Sequence, residues 1–337
     1  MSERQRPIGR FLRGAAAYLI AAAGLVWVFH DAEWAKLWKN IAGLNWWWVA
    51  LGVLFDVSSY ACQGFRWHLL LKPQGDIPTL RATQAVYSGL FINEILPMRM
   101  GEIARAYLVS VWMAKPVVAI IPSMALERLF EGVWLAAGIG VTAIFVPLPR
   151  NLARAGDIFG LVVLALTGAV LYLTFRKKRK APAEGAGMGR RSKPLRWLVS
   201  IVGRLEDGLR SIGLSRYSAA AFFVSLLLFV FQAFSFWFIM KAYGMGQPFW
   251  VGAAVFLIVS FGTALPNAPA NIGTYQLFCV LGLTLFGVEK TAAAGFSIVV
   301  FVLLTIPLWA IGFVALGQSG MTLASIRARI RNLRTRP

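Results

Sequence analysis

The chain has 337 residues, of which 58% are apolar and 14% charged, with a mean hydropathy of +0.66. A soluble domain carries roughly a quarter charged residues, so the composition excludes a soluble globular protein and predicts an all-α polytopic membrane protein, with residues 1–337 in a single membrane domain. The net charge of +20 would suggest nucleic-acid binding in a soluble protein, but Lys and Arg gather between the apolar blocks here, and no nucleic-acid partner is expected.

Six apolar segments are predicted to cross the bilayer, because a spanning helix needs about 20 mostly apolar residues. They are residues 12–30, 46–70, 116–147, 156–175, 217–242 and 290–317. The first segment follows several arginines and lacks the small-residue cleavage site of a signal peptide, so we expect it to be retained.

Two further apolar regions are interrupted by proline and polar residues and predict re-entrant helical hairpins. Residues 79–113 carry Leu-Pro-Met-Arg-Met-Gly-Glu from position 96, and residues 248–288 carry Leu-Pro-Asn-Ala-Pro-Ala-Asn-Ile-Gly from position 265. Proline breaks a helix, which leaves half-helices of about 15 residues that rise about 22 Å, less than the hydrocarbon thickness. Each region is therefore expected to enter and leave the membrane on one side.

Basic residues then predict the orientation. With a cytoplasmic N-terminus, 25 of the 34 Lys and Arg residues fall on the cytoplasmic side, including a basic linker at 176–194 and a basic tail at 319–337. This asymmetry follows the positive-inside rule. We expect a multi-pass protein of the cell inner membrane with both termini in the cytoplasm.

The predicted elements occur twice in the same order. Residues 12–147 run span, interfacial helix, span, hairpin and span, and residues 156–317 repeat that order. Because the hairpins would open to opposite sides, the halves form an inverted repeat, a construction found in many secondary transporters with substrate sites at the repeat interface. The alternative is a coincidence of hydropathy, since the halves share little more than Leu-Pro and a nearby glycine.

Charged residues inside membrane segments are costly and are therefore candidates for function. Arg99 and Arg105, beside the unpaired N–H groups of a half-helix, suit a phosphate or carboxylate. The predicted substrate-binding residues are Asn93, Arg99, Gly101, Glu102, Arg105, Asn267, Asn271, Gly273 and Gln276. The predicted charge-balancing residues are Arg66, Glu94, Glu127, Arg128 and Glu131.

Two alternatives remain open for these charges. In the first, they form a closed network in which Glu102 caps its own helix and Arg99 pairs with Glu94 or Glu127. In the second, Arg66 and its neighbour Trp67, at the end of a span, are an interface anchor. The two cysteines lie far apart and no metal, phosphate-loop or nucleophile motif occurs, so we expect no cofactor and no enzymatic activity.

The tip residues give the sequence a family resemblance. The matching elements are Arg66-Trp67, Gly89, Asn93, Leu96-Pro97, Gly101-Glu102, Arg105, Glu127-Arg128 and residues 266–273. Over about residues 12–318 the chain resembles the flippase-like membrane-domain family named after the transmembrane region of lysylphosphatidylglycerol synthase. The resemblance implies movement of a lipid, or a lipid-linked head group, between leaflets. Without the aminoacyl-transferase domain of the synthase, it implies no lysine transfer.

One departure from the family concerns the second hairpin. Family members often carry a Pro-Gly-Gly-type tip followed by an acidic residue, whereas this chain has Pro-Ala-Asn-Ile-Gly at 269–273 and Gln276. A titrating carboxylate in this hairpin is therefore not expected.

The sequence supports four functional hypotheses. The first is a translocator of an anionic or phosphate-bearing lipid, such as a polyprenyl phosphate, with membrane lipids as its partners. The others are a secondary transporter of a small soluble anion, a membrane enzyme acting on a head group, and a non-catalytic partner subunit. No oligomeric state is predicted.

Overall fold

The structure is a computed structural model that describes residues 19, 21–30, 33–96, 99–145, 150–175, 203, 207–213, 215–264 and 268–320. This part of the chain is helical and contains no strand, which confirms the predicted all-α class. The linker at 176–194 and residues 321–337 of the tail lie outside the described residues.

The helices of the first half are numbered α1 to α6. They are α1 at residues 21–29, α2 at Trp34–Ala42, α3 at Trp46–Leu71, α4 at Thr79–Ile95, α5 at Met100–Trp112 and α6 at Val117–Phe145. At the start of α3, the Asn45 side chain accepts a hydrogen bond from the Trp47 amide, which satisfies one of the unpaired donors of the helix end.

The second half continues the numbering. It comprises α7 at Arg150–Phe175, α8 at residues 207–213, α9 at Arg216–Ala242, α10 at Phe249–Ala264, a 3-10 turn at Pro269–Asn271, α11 at Thr274–Leu285 and α12 at Lys290–Gln318. Ser215 caps α9 by accepting a hydrogen bond from the Ser218 amide.

Three helices of the described chain are long and apolar enough to span a bilayer, namely α7 over residues 154–172, α9 and α12. The pair α2 and α3, bent by 85°, passes the same test as a fourth candidate. These helices agree with the predicted spans at 156–175, 217–242, 290–317 and 46–70. The predicted spans at 12–30 and 116–147, and the re-entrant course of the hairpins, stay predictions.

Helices α3 and α9 form the centre of the molecule and run antiparallel. The Asn45 amide at the start of α3 donates to the Ala242 carbonyl at the end of α9 at 3.0 Å. At the other end of α3, Arg66 Nη1 donates to Ser225 Oγ at 3.2 Å. Helices α4, α6, α10 and α12 pack against this pair.

Each predicted hairpin is a pair of helices that fold back on one another. Helix α4 packs on α5, and α10 packs on α11. Helix α4 also contacts α3 and α12, while α10 contacts α9 and α6. The two largest clusters of the apolar core divide accordingly, one around α10, α11 and α12 and the other around α4, α5 and α6.

Glycine permits close backbone packing in both hairpins. A Cβ atom added at Gly101 would overlap the carbonyl oxygen of Gly89 on the opposite arm. Gly273, with φ +84°, faces Ala21 of α1 in the same way. The sequence interpretation placed a ligand beside these glycines, whereas the described structure places helix backbone there.

Replacing Gly101 by alanine is therefore expected to lower the free energy of unfolding by about 1–3 kcal/mol, because the overlapping atom is backbone and cannot rotate away. The measurement is the thermal unfolding midpoint of the detergent-solubilised protein. Gly160→Ala on α7 is the matched control, since nothing lies within 4 Å of a Cβ at that position. Equal midpoints for the two variants would contradict the packing.

Candidate functional site

Three arginines and three glutamates from α3, α5 and α6 form a closed ring of alternating charge, here called the ion-pair ring. Two carboxylates of the ring form ion pairs with Arg66, whose Nη2 lies 2.5 Å from Glu127 Oε1 and 2.6 Å from Glu131 Oε1. The ring continues from Glu127 Oε2 to Arg105 Nη2 at 2.8 Å, and from Arg105 Nη2 to Glu102 Oε2 at 2.6 Å.

Arg128 closes the ring. It pairs with Glu102 on one side, and its Nη1 lies 2.7 Å from Glu131 Oε2 on the other. Because every cation has an anion on both sides, the ring carries no net charge. A paired arrangement of this kind is what allows charged groups to remain inside a membrane protein.

The deepest part of the ring is enclosed by apolar and hydroxyl groups. Arg66 and Trp67 are both 0% exposed, which corrects the interpretation of this pair as an interface anchor. The Trp67 ring stacks against the Arg105 guanidinium at 4.8 Å, and its Nε1 donates to Ser123 Oγ at 3.1 Å. Trp67 therefore helps to hold Arg105 in place.

The predicted site residues divide between the ring and its surroundings. Arg66, Glu102, Arg105, Glu127, Arg128 and Glu131 all belong to the ring. Asn93 lies at the end of α4, and its Oδ1 accepts the Gly101 amide at 2.7 Å. Asn93 thus caps α5, a role the sequence interpretation had considered for Glu102.

Arg99 is the predicted cation that stays outside the ring. It is exposed, and no ion pair includes it among the described residues. Its Nη2 donates to the Thr263 carbonyl at 2.7 Å, which joins the tip of the first hairpin to the end of α10. Its backbone is left-handed, with φ 51°, a costly conformation for a residue other than glycine.

The second hairpin tip also holds strained backbone. Ala270 and Asn271 have φ values of 55° and 56°, and this turn contacts α4 of the first hairpin. The side chain of Gln276 accepts the Gly273 amide at 2.7 Å and caps α11. Asn267, another predicted site residue, lies outside the described residues.

A polar cavity of about 420 Å³, here called the polar chamber, lies where the two hairpin tips meet. One edge of the ion-pair ring faces it through Glu102, Arg128 and Glu131. The other polar side chains of its wall are those of Tyr60, Gln63, Asn93, Glu94, Arg99, Gln232, Ser260, Thr263 and Asn271. Arg105 does not line the chamber and is a buried member of the ring.

A larger cavity of about 750 Å³, here called the apolar groove, lies between α6, α9 and α10. Its wall is formed almost entirely by apolar side chains, among them Trp134, Leu226, Trp250 and Leu257. Phe229 is common to the walls of the apolar groove and the polar chamber. The two cavities are therefore neighbours, separated at this point by one side chain.

A family model described as the lysylphosphatidylglycerol synthase TM region matches residues 14–312, which include the whole ion-pair ring and every residue of the polar chamber. The chain belongs to this family. Membership in the synthase transmembrane-region family indicates a lipid-related function in the membrane and confirms the resemblance carried by the hairpin tips. No curated protein sequence matches the chain.

For this member of the family, several polar residues of the site were missing from the sequence prediction. Tyr60 and Gln63 lie on α3, and with Asp56 and Trp67 they form a polar stripe with the spacing of three or four residues that puts side chains on one helix face. That periodicity is the signal that could have identified them. Thr263 contributes a backbone oxygen, which no sequence pattern reveals.

The side chains of the site indicate which kinds of ligand it could bind. Among the described residues, no group of three or more His, Cys, Asp or Glu side chains is arranged to bind a metal ion. The chamber wall carries the guanidinium groups of Arg99 and Arg128 and the carboxyl groups of Glu94, Glu102 and Glu131, together with neutral amide and hydroxyl groups. Guanidinium groups bind phosphate and carboxylate oxygens through charge-assisted hydrogen bonds, so Arg99, which no ion pair among the described residues includes, is the group of this wall suited to an anion.

Proposed function

We propose that this protein is an inner-membrane lipid translocator that moves an anionic or phosphate-bearing lipid, or a lipid-linked head group, between leaflets. The observation that carries the proposal is the contact between the polar chamber and the apolar groove at Phe229. Membership in the synthase transmembrane-region family supports it. The protein would act as a transporter and not as an enzyme, with membrane lipids as its partners.

The proposed topology has six spans and two re-entrant hairpins in an inverted repeat, with both termini in the cytoplasm. The antiparallel course of α3 and α9, which occupy equivalent places in the two halves, supports this arrangement. The packing is also reciprocal, since α4 contacts α12 while α10 contacts α6. In such a repeat, rocking of the halves exposes a central site to either leaflet.

Within this scheme, Arg99 contacts the head group first. It faces the polar chamber and has no carboxylate partner among the described residues, so binding an anion there breaks no ion pair. Arg128 and Glu102 form the adjacent wall, and Asn271 and Asn93 supply amide groups. Arg105 supports the site from within the ion-pair ring.

The hydrocarbon chain is assigned to the apolar groove. Phe229 packs against Phe256 with ring centroids 6.0 Å apart, and both rings line the groove. A chain in the groove would let the head group enter the chamber while the tail stays in apolar surroundings. A transporter of a small soluble anion would need the chamber alone.

Reconstitution into vesicles tests the proposal against that alternative. The protein is expected to accelerate exchange between leaflets of a fluorescent phosphatidylglycerol, measured by the fraction of probe quenched from outside. Trapped inorganic phosphate is measured in parallel. Phosphate release without lipid exchange would support the soluble-anion transporter and overturn the lipid translocator.

Filling the apolar groove is expected to slow the lipid exchange. Ala253 on α10 lines the groove, and a tryptophan there would occupy space assigned to the chain. We expect Ala253→Trp to reduce the exchange rate on the order of tenfold, which corresponds to about 1.4 kcal/mol. Ala165→Trp on an exposed position of α7 is the matched control. Equal exchange rates for the two variants would mean that the hydrocarbon chain of the lipid does not occupy the apolar groove.

A further inference from the structure

A smaller cavity of about 210 Å³, here called the acidic pocket, adjoins the polar chamber. The two cavities share wall residues from both hairpins and from α3, including Tyr60, Glu94 and Asn271. Asp56 of α3 and Tyr275 of α11 line the acidic pocket but not the chamber. A group bound in the chamber is therefore close to a second set of titratable side chains.

Asp56 is the buried acid that the ion-pair ring does not use. The residue is 4% exposed, and its Oδ2 atom has no hydrogen-bond partner in the part of the chain that the structure describes. No ion pair among the described residues includes it. A bare carboxylate in these surroundings is costly, so it is expected to bind a positively charged species.

The titratable groups that face Asp56 are acids and phenols. Tyr60 follows one turn later on α3, α4 contributes Glu94 and Tyr87, and α11 contributes Tyr275. The residues that α9, α10 and α12 contribute to the pocket wall are all neutral. No cation from any element of the described pocket wall is therefore available to compensate the Asp56 carboxylate.

The charges around both cavities indicate how this acid could serve transport. The ion-pair ring is neutral, and outside it the walls carry one cation, Arg99, and two acids, Glu94 and Asp56. An anionic head group would make the local charge more negative. Because coupling between two binding events is reciprocal, anion binding in the chamber and proton binding at Asp56 favour each other.

We propose that Asp56 binds one proton when an anionic head group enters the polar chamber and releases it when the head group leaves, so that lipid and proton cross together. The inference rests on the proposed lipid translocation and adds its energy source. One proton balances one negative charge, so the combined step moves no net charge across the membrane.

A pH gradient across reconstituted vesicles tests this coupling. Fluorescent phosphatidylglycerol, which carries one negative charge, is expected to accumulate about tenfold per pH unit in the leaflet facing the more alkaline side, because 1:1 cotransport with a proton stores 1.36 kcal/mol per unit. Asp56→Asn is expected to give the same leaflet distribution with and without the gradient. Exchange by the wild-type protein that ignores the pH gradient, or follows a sodium gradient instead, overturns the proton site.

Two further arms keep the test independent of how well that variant folds. Fluorescent phosphatidylcholine, which has no net charge, is expected to show no pH-driven accumulation with the wild-type protein, and an equal response to both probes contradicts charge balancing. Glu94→Gln removes the other acid of the pocket wall and is expected to keep the gradient response. Loss of the response in Glu94→Gln alone would assign the proton to Glu94.

An infrared titration separates this inference from the proposed function. If the vesicles show no lipid exchange at all, the translocator proposal fails, but proton binding at Asp56 can still be measured. The wild-type minus Asp56→Asn difference spectrum is expected to contain the carbonyl band of a protonated carboxylic acid, which disappears as the pH is raised. Absence of that band at every pH overturns the proton site.

Discussion

Replacing Glu127 by alanine is expected to lower the free energy of unfolding by about 3–5 kcal/mol, because removal of one partner leaves buried charges uncompensated. Glu127 is 0% exposed and bridges two arginines, Arg66 at 2.5 Å and Arg105 at 2.8 Å. Both guanidinium groups are buried and would lose a neighbouring anion in surroundings where water cannot replace it. The thermal unfolding midpoint in detergent and the yield of folded protein measure the effect.

The matched control is a glutamate whose ion pair is exposed. Glu289 pairs with Lys36 at 2.6 Å, and both side chains are substantially exposed. An exposed pair contributes about 0–1 kcal/mol, so Glu289→Ala is expected to leave the midpoint close to the wild-type value. If Glu127→Ala were as stable as Glu289→Ala, the ion-pair ring would not exist as described.

The positions of the two hairpins could be predicted from sequence because they depend on local chemistry. Proline and glycine break an apolar segment wherever it lies, so the interruptions around 97 and 266 were visible before any contact was known. The breaks between α4 and α5, and between α10 and α11, fall in these two places. The Glu102–Arg105 pair likewise follows from three-residue spacing on one helix.

The ion-pair ring could not be predicted as a whole, because its members lie on three helices. Sequence spacing indicates that Arg66 and Trp67 follow one another, but not that α5 and α6 cover them. Arg66 and Trp67 therefore resembled an interface anchor, whereas in the structure both are fully buried and the Arg105 guanidinium packs on the Trp67 ring. For the same reason the sequence assigned Arg105 to the ligand, whereas the structure encloses it between Glu102 and Glu127.

The roles of backbone atoms were also invisible in the sequence. Arg99 donates to the carbonyl group of Thr263, and any residue at position 263 carries such a group. Glycine is needed at position 101 because the Gly89 backbone lies close to it. The presence of a glycine in the sequence does not indicate which part of the fold packs against it. Local chemistry therefore predicts where a helix is interrupted and which charged residues lie inside apolar segments. The partners of a residue on other helices can be identified only once the fold is known.

Replacing Arg99 by alanine is expected to reduce lipid exchange on the order of tenfold to a hundredfold, because hydrogen bonds to charged groups contribute about 1.5–3 kcal/mol. Arg99 is the cation of the polar chamber without a carboxylate partner among the described residues, so the loss would fall on the bound anion and not on an ion pair. The exchange rate of fluorescent phosphatidylglycerol in vesicles measures the effect.

Arg99→Gly separates the lost charge from lost folding. The backbone of Arg99 has φ 51°, which glycine adopts without strain, so this variant is expected to unfold no earlier than Arg99→Ala while losing exchange to the same extent. Arg81→Ala is the control for charge, since Arg81 stacks over Trp112 at 5.1 Å and does not line the chamber. Exchange at the wild-type rate by both Arg99 variants would mean that the head group does not bind at the meeting point of the two hairpins.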